Sequence, residues 1–246
     1  MKILAVETSG KACSTALVED GRILGEYSLN CGRATSCSLV PMMDELKRMT
    51  ELDLHTIDAV ALTAGPGSFT GIRIGAATAK GLGLALEKPL IPVPTLDALA
   101  FNLYGTGESL LCPMLDARRG QVYTGLYESP AGSAFRTVHA QCLQEVAETA
   151  EELNTAGRSV IFLGDGSDAY RDTIADSVHV PYCFAPAHLS KQRAASVAAL
   201  AMQYYLAQGE KCFADPDAFR PEYLRLSQAE RRREAGADMS MTVRRQ

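Results

Sequence analysis

No uninterrupted apolar run in this 246-residue chain approaches the length of a membrane span. Met1-Lys2 leads straight into Ile3-Leu4-Ala5-Val6, without the basic region and apolar core of an export signal. The sequence therefore predicts no membrane partner, and its first apolar residues read as a strand. Positive charge is also scarce. A formal net charge of −5 argues against a protein that wraps a nucleic-acid backbone unaided, because that mode needs a concentrated basic surface, though net sign leaves room for a local patch. The arginines that do cluster, Arg231-Arg232-Arg233 and Arg244-Arg245, sit among Glu230, Glu234 and Asp238 and read as a solvated tail. A weak contact to RNA or to an acidic partner is the other reading of that tail.

Paired metal ligands are missing as well. His55, His139, His179 and His188 are far apart, with no His-x-x-x-His spacing to put two imidazoles on one helix face. The seven cysteines are odd in number and form no Cys-x-x-Cys, so the expectation is a reducing, cytoplasmic compartment with single buried thiols and no structural zinc. There is no Walker A lysine, no dinucleotide glycine spacing and no Gly-x-Ser-x-Gly elbow; Gly164-Asp165-Gly166-Ser167 resembles the last only superficially.

The most informative stretch that is present runs Ala64-Gly65-Pro66-Gly67-Ser68-Phe69-Thr70-Gly71-Ile72-Arg73-Ile74-Gly75. It joins a strand over 57–63 to a proline-free helix over 73–86. Gly65, Gly67 and Gly71 supply positive φ or close backbone approach, and Ser68 or Thr70 caps the helix. A helix start of this kind can hold an anion, and it can equally be a tight reversal between packed elements.

Around it, strands at 3–7, 14–18 and 22–29 precede an amphipathic helix on which Leu39, Met42 or Met43, Leu46 and Met49 recur every three or four residues. A strand at 89–93 and a helix over 95–103 follow. A related order then reappears: strands at 110–116, 121–128 and 135–140, a helix over 143–153, a strand at 160–164 and a short helix. A helix over 193–207 crosses back to the first half. The fold class is thus α/β with two duplicated βββαβα-type domains. The first spans 1–104 and the second 105–190; a returning helix and segment occupy 191–224, and a charged tail 225–246.

Glu7-Thr8-Ser9-Gly10 and Asp116-Ala117-Arg118-Arg119-Gly120 each follow the first strand of a half and converge on an interdomain cleft. Glu7 and Asp116 can position magnesium or polarise water, or they can cap turns. The candidate cofactor-binding residues are Glu7, Ser9, Gly65, Gly67, Ser68 and Asp116; no residue is singled out as catalytic or as a metal ligand. Gly75, Ala79 and Gly83 recur every four residues, with Ala76 beside them, and make a face that another helix can approach closely. Together with Leu39, Met42, Met43, Leu46, Met49 and Arg73 they form the candidate partner interface, and packing within the chain is the other reading.

The opening Met1-Lys2-Ile3-Leu4-Ala5-Val6-Glu7-Thr8-Ser9, the 65–75 motif, Asp116-Ala117-Arg118-Arg119-Gly120-Gln121-Val122-Tyr123 and Pro221-Glu222-Tyr223-Leu224-Arg225 together resemble the bacterial TsaB family, formerly YeaZ. The resemblance implies a two-domain actin/sugar-kinase-like fold. It further implies a noncatalytic subunit that works with a homologous catalytic TsaD and a TsaE ATPase to form threonylcarbamoyladenosine in tRNAs reading ANN codons. ATP or ADP and Mg then associate with the assembled complex rather than being required by this chain, and the isolated chain can form a homodimer. Relatives often carry histidine where this chain has Thr35, so no contact by that imidazole transfers. An autonomous nucleotide-dependent kinase or hydrolase is the alternative reading, and a protease a weaker third.

Overall fold

A computed structural model describes residues 1–30 and 35–225. The expected tail beyond Arg225, Cys31, and Arg33-Ala34 ahead of Thr35 lie outside the described residues. Strands β1 (Lys2–Glu7), β2 (Cys13–Glu19) and β3 (Arg22–Leu29) lead into helix α1 (Thr35–Met49), then β4 (Ala59–Gly65), α2 (Phe69–Leu86), β5 (Leu90–Pro94) and α3 (Thr95–Ala100). The second half repeats the plan with β6 (Gly107–Arg118), β7 (Gln121–Ser129), β8 (Arg136–Glu145), α4 (Val146–Ala156), β9 (Val160–Leu163), α5 (Asp165–Ala169), α6 (Arg171–Ser177), β10 (Tyr182–Phe184) and α7 (Ala194–Gln208).

The two five-stranded sheets run β3-β2-β1-β4-β5 and β8-β7-β6-β9-β10, one order used twice. In each, the first three strands are antiparallel and the fourth and fifth are parallel additions reached through helices.

Strand alternation assigns the layers. On β1, Leu4 and Val6 face α1 and α2, meeting Leu39, Met42, Leu46, Ala76 and Ala79. Ile3 and Ala5 face the opposite side, where α7 lies with Ala194, Val197, Ala198 and Ala201. The second sheet does the same. Leu110, Cys112 and Met114 of β6 pack with Val146, Ala150 and Leu153 of α4. Leu111 and Leu115 meet Leu96, Leu99 and Ala100 of α3. The helix that ends the first half thus covers the second sheet, and the helix that ends the second half covers the first.

Polar contacts pin this exchange. Asp97 of α3 accepts from Tyr127 Oη of β7 at 2.8 Å and from Tyr204 Oη of α7 at 3.4 Å. Burial pushes the Asp97 carboxyl above its ordinary value, and the two hydroxyls pull it partly back. At the start of α7, Ala194 N–H donates to Ser14 Oγ and Ala195 N–H to Glu26 Oε1, both at 3.1 Å, while Arg193 pairs with Glu26. A carboxylate from β3 therefore caps a helix contributed by the other end of the chain.

Three local expectations need correction. Residues 143–145 are strand rather than helix, because Tyr123 pairs with Leu143 and Gln121 with Glu145; the helix starts at Val146, three residues after the expected start, behind a capping box of Glu145 and Glu148. Helix α2 begins at Phe69, four residues before the expected start, because Ser68 caps it. Strand β10, three residues long, was not expected at all.

Ala198 is fully buried where alanines of helix and sheet meet, so Ala198→Leu should overpack that layer and cost about 1–3 kcal/mol in urea unfolding. Leu206→Ala, on the same helix but 70% exposed, should change stability by less than about 0.5 kcal/mol.

Candidate functional site

Four loops meet at a cleft of about 700 Å³ between the halves. Ser9, Gly10 and Lys11 come from the β1–β2 turn, Pro66 to Thr70 from the β4–α2 turn, Leu115 to Arg118 from the end of β6, and Glu222 to Arg225 from the returning C-terminal segment; Asp165 and Tyr123 complete the wall.

The first two loops are locked together. Ser68 N–H donates to the Ser9 carbonyl at 2.6 Å, and Thr8 Oγ1 donates to the Gly71 carbonyl at 2.8 Å. A Cβ on Gly67 would stand 2.3 Å from Ser9 O, one on Gly71 2.1 Å from Thr8 O, and one on Gly75 2.2 Å from Thr8 Oγ1. Gly67 and Gly71 are required because one backbone lies against another, and Gly75 because it leaves room for the Thr8 side chain. The Ser68 amide is engaged by the Ser9 carbonyl, and the Ser68 Oγ accepts from Gly71 N–H at 3.3 Å.

Glu7 lies beneath this junction, 1% exposed. Its Oε1 accepts from Ser9 N–H at 2.6 Å and from Ser9 Oγ at 2.5 Å. Burial raises its pKa to about 7, against the opposing pull of the Ser9 bonds and of Thr63. Asp116 is likewise engaged: its Oδ1 accepts from Arg118 N–H at 2.7 Å and from Tyr170 Oη at 3.1 Å. That carboxylate organises a turn in which Arg118, Arg119 and Gly120 all have positive φ (64°, 60° and 77°). Lys11 and Asp165 face each other at 3.5 Å across the cleft.

Of the expected cofactor-binding residues, Ser9, Gly67, Ser68 and Asp116 stand on the cleft wall. Glu7 lies under it, and Gly65 lies behind it against the Glu222 backbone. The wall residues missed by sequence reasoning are Lys11, Tyr123, Asp165 and the 222–225 segment. The last of these carried a signal, since it belongs to the motif set that prompted the resemblance. Among the described residues no group of three or more His, Cys, Asp or Glu stands close enough to hold a metal ion, and the described cysteines are free thiols.

Of the ten expected interface residues, seven turn inward and three reach the surface. Leu39, Met42, Leu46, Gly75, Ala76, Ala79 and Gly83 are buried inside the chain's own core. Gly75 abuts Thr8, and Gly83 abuts Pro216 and Leu90, so the small-residue stripe serves close packing within the subunit. Met43 is half-buried, whereas Met49 and Arg73 are exposed. The outward sides of α1 and α2 also carry Val40 (58% exposed), Leu84 (55%), Ala77 and Gly81. No helix among the described residues is long and apolar enough to cross a membrane.

Comparison with known proteins gives a consistent result. Residues 29–233 match the family model described as TsaD: tRNA N6-adenosine threonylcarbamoyltransferase. A Bacillus subtilis protein named tRNA threonylcarbamoyladenosine biosynthesis protein TsaB is 32% identical over 230 residues, covering 94% of this chain and 96% of its own length. The Escherichia coli protein of the same name is 32% identical over 70% of this chain and 74% of its own length. Among solved structures, YeaZ from Pseudomonas aeruginosa superposes with a TM-score of 0.75 at 28% identity, covering 91% of this chain and 99% of that one. The fold is that of YeaZ, with two domains each built on the same five-stranded sheet order.

The raised Glu7 pKa has a definite sign. A carboxyl that titrates near 7 when folded, and at its ordinary lower value of 4.5 when unfolded, holds its proton better in the native state. Its contribution is complete below the unfolded value and is lost as pH rises through about 7. Glu7→Gln should therefore gain stability relative to the wild type across that window, by up to about 3 kcal/mol, levelling off above it. Urea unfolding of both proteins from pH 4 to pH 8.5 measures this; a constant difference would refute it.

Proposed function

We propose, from the premise that this chain belongs to the bacterial TsaB (YeaZ) family, that it is the noncatalytic subunit of the machinery that attaches the threonylcarbamoyl group to tRNA adenosine. The observation that carries this reading is the state of the cleft loops. Their chemistry-bearing groups are turned on one another: Glu7 on Ser9, Ser68 on Ser9, Asp116 on Arg118 and Tyr170. A catalytic cleft keeps such donors and acceptors directed at a reacting group.

The function is then positional. A folded body with two coupled sheets supports a catalytic TsaD-type subunit, and the rate advantage comes from stabilising and orienting the active assembly. The match to the TsaD family model fits a pairing between homologous chains. The docking surface is the outward side of α1 and α2, where Val40 and Leu84 supply apolar area and Ala77 and Gly81 allow a helix to approach closely. Met49 and Arg73 lie at its margins. A TsaE-type ATPase brings ATP and Mg to the assembly, tRNA is the substrate of the whole, and the setting is the cytoplasm.

Reconstitution tests the reading. Modified adenosine should form from tRNA, threonylcarbamoyl donor, TsaD and TsaE only when this chain is added; full modification without it would defeat the assignment. Ala77→Glu is exposed and should leave the unfolding midpoint within about 0.5 kcal/mol of wild type. It should nevertheless weaken TsaD binding at least tenfold, by placing a charge in an apolar contact.

A further inference from the structure

The C-terminal return segment forms one wall of the interdomain cleft, and its attachment changes character along its length. Phe219 is buried with Leu90 and Ala79, and Lys80 Nζ donates to the carbonyls of Asp217 at 3.1 Å and Phe219 at 3.2 Å, so the segment enters firmly anchored. It then crosses the β4–α2 turn. Glu222 N–H donates to the Ala64 carbonyl at 2.7 Å, and Gln141 Nε2, from the other half, reaches both Gly65 O and Glu222 Oε2 at 3.2 Å. Beyond that point side chains hold it. The Tyr223 ring lies 5.1 Å from Phe69, and Tyr223 Oη accepts from Arg73 Nε at 3.0 Å. The Arg73 guanidinium carbon stands 3.9 Å above the Phe69 ring, so one arginine clamps both aromatics. Arg225 Nη1 donates to the Ala117 carbonyl at 2.6 Å, on the far wall.

We propose that residues 222–225 are a strap that closes the mouth of the cleft, latched by the Arg73, Phe69 and Tyr223 stack. The strap touches the glycine turn of the first half, β8 and the end of β6, so its seating fixes how the two cleft walls stand to one another. Arg73 is a positioning residue in this device. It projects from the exposed side of α2, and its removal leaves the core of the helix intact.

The test uses the full chain alone, so it stands apart from partner binding. Hydrogen exchange of the Glu222 amide, which donates to the Ala64 carbonyl, and chymotryptic cleavage of the Tyr223–Leu224 bond report strap release. Arg73→Ala should accelerate both by about tenfold or more, and Tyr223→Phe, which keeps the ring and removes the hydroxyl, should accelerate exchange by a smaller factor. Exchange of β1 and β4 and the unfolding midpoint should stay at wild-type values. Wild-type rates of Glu222 exchange and Tyr223–Leu224 cleavage in Arg73→Ala would overturn the proposal, as would acceleration spread equally over β1 and β4, which would mean global loosening.

Discussion

The whole architecture rests on an exchange of helices between two sheets. Each sheet is apolar on both faces and needs two covers. One cover comes from helices inserted among its own strands, and the other from the helix that closes the opposite half. Because α3 and α7 touch and share the Asp97, Tyr127 and Tyr204 contact, the two repeats of one plan pack against each other. Alanine makes this layer thin: Ala5, Ala16, Ala59 and Ala61 from the sheet meet Ala194, Ala198 and Ala201 from the helix.

The cleft follows from that arrangement. Equivalent first strands end at equivalent places, so Glu7 and Asp116 arrive at facing loops, as the duplicated order requires. Their environments differ. Glu7 is sealed under the glycine turn and held near neutrality, while Asp116 shapes an exposed hairpin. In their bonds, Glu7, the Ser68 amide and Asp116 tie the loops of the cleft to one another or to themselves.

Much of this was legible in the residues. The strand and helix periods, the punctuating turns and the repeat of order gave both halves, and the 193–207 pattern located the helix that returns to the first sheet. The glycine turn was placed correctly between a strand and a helix. The direction of the small-residue stripe was not legible: four-residue spacing says that Gly75, Ala79 and Gly83 share a face, but not whether that face meets Thr8 and Pro216 or another molecule. Position 143 was ambiguous for a related reason, since Leu143 can begin an amphipathic helix or end a strand, and only pairing with Tyr123 decides. Strand β10 is too short to show a period. The Glu26 cap of α7 and the reach of Gln141 to Glu222 join residues far apart in the chain, where local pattern carries no information.

The swapped cover has a bearing on biosynthesis. Residues 2–94 hold every strand of the first sheet, yet the face formed by Ile3, Ala5, Ala59 and Ile91, met early only by Ala98 and Phe101, lacks its main cover until residues 194–208 have emerged from the ribosome. For the translation of the roughly hundred residues between, on the order of ten seconds, the nascent polypeptide displays a sticky alanine- and isoleucine-lined plane, and shielding that plane falls to chaperones or to the exit vestibule.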